Sequence, residues 1–224
     1  AVRVRFAEPT ALEQGLRQLG ADAFAFGANP LIGLPTPPAR ENRASIDQIP
    51  FGNDALAFLG AGGDRSSWGR GTTIAILDTG IASDATFGAG RVRTLDAGYG
   101  IAPGRAEQDG HGTAVAALAA GASPDAPGVA PAANLLSIRV TDASSTSDLF
   151  TLSQAIVTAV DAGAKIINIS LGGYATGPTL GAAIAYASQR GALIVAAAGN
   201  DQAAQLAWPA ADPRVVSVGA VDRA

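Results

Sequence analysis

An α/β fold on a mostly parallel sheet, with helices on both faces, is the architecture this sequence predicts. Three observations carry it. Short apolar runs recur across residues 72–221, near-continuous and rich in β-branched residues, as strands buried on both faces are. Stretches of helical periodicity lie between them. Strands alternating with helices need crossover connections, and a parallel sheet covered on both faces supplies them.

Val2-Arg3-Val4-Arg5-Phe6 alternates like a short strand. Thr10–Leu19 reads as an amphipathic helix, with Thr10 as N-cap and Glu13 completing a capping box. Asn29–Pro38 carries four prolines and two leucines and reads as an extended linker. Residues 1–50 thus read either as a pro-segment remnant or as an N-terminal arm packed on the main domain, residues 51–224. There, Asp54–Leu59 suggests a short helix, and the strand Thr72–Leu77 ends at Asp78. Further strands are expected at Arg91–Leu95, Asn134–Val140, Lys165–Leu171, Leu193–Ala198 and Val215–Val221. Thr113–Ala120, Asp148–Ala162 and Thr179–Arg190 are the intervening helices. In the second, Leu149, Leu152, Ile156, Val157 and Val160 share one face and Gly163 marks the stop.

Composition narrows the chemistry. The 224 residues contain no Cys, which excludes disulfides, cysteine-zinc sites and thiol nucleophiles. A single His confines imidazole chemistry to His111 and excludes multi-histidine metal sites within one chain. Fifteen basic residues against 19 acidic ones give a net charge of −4 with no basic stripe, so nucleic acid is not an expected partner. No stretch is long and apolar enough for a membrane span.

In a parallel sheet, active groups gather at the carboxyl ends of the strands. Asp78 directly follows a strand, in Asp78-Thr79-Gly80, where its carboxylate either faces the crevice or caps a loop. His111 lies in Asp109-Gly110-His111-Gly112-Thr113, between glycines that permit a tight turn, with Thr113 expected to begin the helix. Asn200 ends Ala196-Ala197-Ala198-Gly199-Asn200, where it is either an amide donor to a developing oxyanion or part of a plain Gly-Asn turn. A carboxylate beside an imidazole fixes its tautomer and stabilises the imidazolium, which suits the imidazole to act as general base for a hydroxyl nucleophile.

These stretches resemble the subtilisin-like serine proteases (subtilases). Ile76-Leu77-Asp78-Thr79-Gly80-Ile81 resembles the catalytic-aspartate motif of that family, and Gly110-His111-Gly112-Thr113 its catalytic-histidine motif. Gly128-Val129-Ala130-Pro131, Ile167 to Gly173, Ala197 to Asn200, and Trp208-Pro209-Ala210 leading to Val218 to Asp222 follow in the family's order. The resemblance, over residues 52–224, implies a subtilisin-like three-layer α/β sandwich. It also implies that Asp78 orients His111, that His111 is the base and that Asn200 donates to the oxyanion. The Ser170-Leu171-Gly172 backbone would pair with an extended polypeptide substrate. Ala197, Ala198 and Gly199 would border the pocket for the side chain before the scissile bond. The loop Thr141–Leu149 would line the distant cleft, open and moderately apolar because it lacks aromatic residues before Leu149.

The pattern breaks at the nucleophile. The family serine sits in Gly-Thr-Ser, beyond the Val-Gly-Ala-Val-Asp stretch, and this sequence contains no Gly-Thr-Ser. Ser170 lies in a substrate-binding motif and Ser217 in an apolar strand, so neither substitutes. The expectation is a piece of a longer protease whose C-terminal portion carries the serine, with negligible activity alone; position 1 not being Met accords with trimming. No cofactor is required. The family's common calcium loop is replaced by Gly121–Pro127, whose single carboxylate is Asp125, so that site is expected to be absent, though calcium elsewhere stays open. The family's habits imply a secreted or cell-surface bacterial enzyme. Two further readings are a non-catalytic α/β binding module or pseudoprotease, without a G-x-G-x-x-G or Walker loop after the first strand, and an aspartic protease, which would need a second Asp-Thr-Gly in an all-β chain.

Overall fold

The computed structural model describes residues 29–34, 53–95, 110–142, 144–201 and 203–220, and residues 3, 8, 10 and 17 singly. Thr10 and Arg17, within the predicted helix Thr10–Leu19, are helical. The predicted strand Val2–Phe6, Arg3 apart, lies outside the described residues.

Among the described residues the named elements start with strand β1 (Leu31–Gly33) and helix α1 (Asn53–Phe58), followed by β2 (Thr73–Asp78) and β3 (Val92–Leu95). Helix α2 (His111–Ala120) leads into a small hairpin of β4 (Ala122–Ser123) and β5 (Ala126–Pro127). After β6 (Asn134–Arg139) and β7 (Thr146–Asp148) come helix α3 (Leu149–Asp161), β8 (Ile166–Ile169), helix α4 (Pro178–Gln189), β9 (Leu193–Ala197) and β10 (Val216–Val218). Six of these strands form a parallel sheet in the order β10-β9-β8-β2-β6-β3, which is the predicted α/β architecture.

Side-chain alternation divides the core between the two faces of the sheet. Ala75 and Leu77 join Leu136, Ile138, Ile167, Ile169 and the buried faces of α3 and α4 in one cluster. Ile74 and Ile76 join Leu135 and, from α2, Ala116 and Ala120 in the other. Sheet and helices therefore make three layers. Asp78 continues the Ile74–Ile76 row, so the last residue of β2 faces the side that α2 covers.

Two predicted elements differ. Helix α2 starts at His111 and not at Thr113. Gly110, the N-cap, holds the left-handed conformation with φ +66°, which turns the chain sharply enough to start the helix on the next residue. The stretch Asn29–Pro38, expected as a linker, contains β1. Leu31, Ile32 and Gly33 pair antiparallel with Asp148, Ser147 and Thr146 of β7. The arm also caps α3. Asn29 Oδ1 accepts from Phe150 N (2.8 Å), the Pro30 carbonyl from Leu149 N (3.1 Å), and Asp148 Oδ1 from Thr151 N (2.8 Å). These bonds satisfy three of the orphan donors that open a helix, two of them from the arm.

Candidate active site

The carboxyl end of β2 and the first turn of α2 meet at one hydrogen bond. His111 Nδ1 lies 2.8 Å from Asp78 Oδ1. Asp78 is fully buried, whereas the His111 side chain keeps 37% of its surface exposed. Asp78 Oδ1 also accepts from the Thr79 amide at 2.7 Å, and Oδ2 is buried without a hydrogen-bond partner among the described residues. A carboxylate so enclosed gains from a positive charge beside it. The hydrogen bond to Asp78 raises the His111 pKa above the ordinary 6.5; burial opposes the shift and the Asp78 charge reinforces it. With Nδ1 committed to Asp78, Nε2 is the nitrogen left for a reactant, and no hydroxyl among the described residues hydrogen-bonds to it.

Three hydroxyls hold this geometry. Thr79 Oγ1 accepts from the Gly112 amide (3.0 Å), Thr113 Oγ1 from Ala82 N (2.9 Å) and Ser137 Oγ from Ile81 N (3.0 Å). They bind the loop after β2 to α2 on one side and to β6 on the other. Gly112 makes the approach feasible, because a Cβ there would lie 2.3 Å from the Gly80 carbonyl oxygen and 3.2 Å from Asp78 Cβ. The sequence reading missed Ser137. It stands in an apolar run, and only the β2–β6 register, which sets it opposite Ile76, reveals its role.

Asn200 lies three residues beyond β9, exposed, at the same end of the sheet as Asp78. With β8 between them, their strands run about 10 Å apart. Asn200 makes no hydrogen bond to Asp78 or His111, so the structure joins two of the three candidates directly and leaves the third across the crevice.

The candidate substrate-binding residues fall on two segments. Ser170 Oγ accepts from Asn168 Nδ2 at 2.9 Å, and Leu171 is buried. Gly172 exchanges both backbone bonds with Gly33, at 3.1 and 3.0 Å, so the edge that the sequence reading assigns to an added strand pairs here with the chain's own β1. Ala197 and Gly199, with Leu171, Gly172, Gly173 and Leu34, line a pocket of about 200 Å³. Ala198 is not in its lining; its amide donates to Val218 O and its carbonyl accepts from Ala207 N. At the rim, the Tyr174 hydroxyl donates to Asp201 Oδ2 at 3.0 Å. The loop Thr141–Leu149 reaches this region through β7, beside β1. Among the described residues no three His, Asp or Glu side chains cluster as metal ligands, and no helix is long and apolar enough to cross a membrane.

Comparison with known proteins places relatives beside this geometry. The model of the family described as "Subtilase family" matches residues 69–224. Subtilisin Savinase of Lederbergia lenta is 34% identical over 165 residues, 71% of this chain and 59% of its own length. An alkaline protease of Shouchella clausii is likewise 34% identical over 165 residues, 71% of this chain and 42% of its own length. Among solved structures, the protease domain of PatA superposes with a TM-score of 0.62 at 31% identity, covering 70% of this chain and 60% of that one. The prenylagaramide maturation protease PagA gives 0.58 at 32% identity, covering 78% and 60%. The chain thus spans 42–59% of the length of these two curated relatives.

Proposed function

The chain belongs to the subtilase family, and on that premise we propose that it supplies the acid–base half of a serine endopeptidase active site. The nucleophile in this reading is a serine hydroxyl from chain outside this sequence, which contains no Gly-Thr-Ser. His111 Nε2 takes the proton of that hydroxyl as it attacks a peptide carbonyl. Asp78 holds Nδ1–H, fixes the tautomer and stabilises the imidazolium. The same imidazolium then returns its proton to the leaving amine. Asn200 donates its side-chain amide to the oxyanion. The substrate is a polypeptide that binds as an added strand along Ser170-Leu171-Gly172, its side chain before the scissile bond in the pocket bordered by Ala197 and Gly199.

One observation carries this reading: a fully buried carboxylate 2.8 Å from the ring of a histidine that still reaches solvent. A buried carboxylate that holds one ring nitrogen and raises the basicity of an imidazole still open to solvent is the arrangement a general base needs. The chemistry needs no cofactor, because base and orienting acid are both side chains. Residues 1–50 are read as an N-terminal extension and residues 51–224 as the peptidase region. Likeness to a subtilisin and an alkaline protease supports a secreted protein.

The test is labelling by a fluorophosphonate probe of the protein that includes the serine-bearing segment. Labelling is expected, with His111→Ala abolishing it. Asp78→Asn is expected to lower kcat about 10⁴-fold through the wrong tautomer. The 224-residue chain alone should give no His111-dependent turnover, since loss of the nucleophile costs a subtilisin about 2 × 10⁶ in kcat. His111-independent labelling would reject the reading.

A further inference from the structure

An oxyanion donor acts only when it is held where the charge develops, because its worth lies in needing no rearrangement at the moment of reaction. The segment that carries Asn200 has few restraints. Ala198, at its start, is fixed on both sides, its amide donating to Val218 O and its carbonyl accepting from Ala207 N, both at 2.9 Å. Gly199, Asn200 and Asp201 then take part in no backbone–backbone hydrogen bond among the described residues, and Asn200 and Asp201 are exposed. One side-chain bond reaches the segment among the described residues: the Tyr174 hydroxyl donates to Asp201 Oδ2 at 3.0 Å.

Tyr174 extends from a fixed base. Its neighbour Gly173 gives its amide to Trp208 O and receives the Trp208 amide at its own carbonyl, at 3.2 and 2.7 Å. From there the phenol crosses to the segment after β9, and its hydroxyl lies over Gly199. A Cβ built on Gly199 would stand 3.2 Å from that oxygen, and Gly199 has φ +105°. Glycine at this position both permits the turn and leaves the phenol its path. The bond it makes, phenol to carboxylate, is one of the stronger kinds of hydrogen bond. We propose that Tyr174 is a positioning residue for Asn200: through Asp201 it ties the oxyanion-donor segment to the edge Ser170-Leu171-Gly172. The inference rests on the reading that Asn200 donates to the oxyanion. Tyr174 touches no reacting atom in this role. It links the segment that holds the substrate to the segment that stabilises the developing charge, so loss of one hydroxyl loosens the donor without removing it.

Two measurements test it. In the 224-residue chain, NMR relaxation should show the backbone order parameters of Gly199, Asn200 and Asp201 falling in Tyr174→Phe, from about 0.85 toward about 0.6, while those of Ala196 and Ala198 stay unchanged. Catalysis is read in the protein that includes the serine-bearing segment, with a peptide p-nitroanilide carrying leucine before the scissile bond. Asn200→Ala should lower kcat about 10²–10³-fold. Tyr174→Phe should lower kcat about 10-fold with KM unchanged, the mark of an interaction felt in the transition state alone. Asp201→Ala should match it, and Asp201→Asn, which keeps an acceptor oxygen, should recover most of the rate. In an Asn200→Ala background Tyr174→Phe should cost nothing further, because the two residues act as one unit. Unchanged order at Gly199 to Asp201, parental kcat in Tyr174→Phe, or a Tyr174→Phe loss that multiplies the loss from Asn200→Ala would overturn the proposal. Parental kcat in Asn200→Ala would overturn the oxyanion reading and the positioning role with it, so Asn200→Ala alone tells the two failures apart.

Discussion

Two helical glycines should respond to alanine with opposite signs. In α4, Gly181 has no heavy atom within 4 Å of its virtual Cβ. Gly181→Ala therefore gains only helix propensity and lower unfolded-chain entropy, about 0.5–1 kcal/mol. Gly112, in the first turn of α2, gains the same propensity but meets the Gly80 carbonyl oxygen at 2.3 Å. Backbone cannot swing aside as a side chain can, so α2 must retreat from the loop after β2 by roughly 1 Å. Such overpacking costs about 1–3 kcal/mol, and stretching the Gly112 N–H to Thr79 Oγ1 bond adds about 1. The net expectation for Gly112→Ala is a loss of about 1–3 kcal/mol. Urea unfolding of the two variants beside the parent chain measures both signs, and the melting temperature should fall by about 2–4 °C for each kcal/mol lost. A Gly112→Ala chain as stable as the parent would show that α2 is not packed against Gly80, and the geometry assigned to His111 would fall with it.

Other expectations follow from the polar contacts. Asp148→Ala removes the carboxylate that caps α3 and holds Asn29; it should destabilise the chain by about 1–2 kcal/mol in thermal melts, and an unchanged melt would contradict the cap. Asp212 is buried and takes a forked bond from Arg214 at 2.8 and 2.6 Å, which lowers its pKa from the ordinary carboxylate value. Its contribution is therefore present above the unfolded pKa and lost as pH falls through the folded one. Asp212→Asn should cost about 1–3 kcal/mol at neutral pH, with a gap to the parent that closes below about pH 4; a gap constant with pH would refute the linkage. We also propose that the hairpin of β4 and β5, with Asp125 exposed, holds no calcium. Asp125→Ala should leave the response of the melting temperature to EDTA and to calcium unchanged, and a calcium-dependent rise of several degrees that disappears in Asp125→Ala would contradict this.

The central strands were legible in the sequence because each is a self-contained apolar run. The pairing of Asp78 with His111 was legible because each stands in its own short motif. Strand β1 was not. Leu31-Ile32-Gly33 sits among prolines, and its partners, Thr146–Asp148 and Gly172, are more than a hundred residues away, so no local pattern announces the ladder. The start of α2 was misplaced for a related reason. Glycines on both sides of His111 read as a turn, whereas one supplies the turn and the other sits inside the helix to let it approach Gly80. Ser137 was hidden because its neighbours made it look like core, and its partner, the Ile81 amide, is fixed only by register. The role of Asn200 still rests on the family resemblance, since its side chain contacts neither Asp78 nor His111.

The single histidine makes the central claim directly measurable, because one imidazole gives one set of ring resonances. Titrating that ring by NMR in the parent chain and in Asp78→Asn tests whether Asp78 governs His111. A pKa above 6.5 is expected in the parent, with stability greatest below the unfolded pKa and declining as pH rises through the folded one. In Asp78→Asn only burial remains to act on the ring, so its pKa should fall to 6.5 or lower and that pH dependence should disappear. A ring that titrates identically in the two proteins would contradict the account.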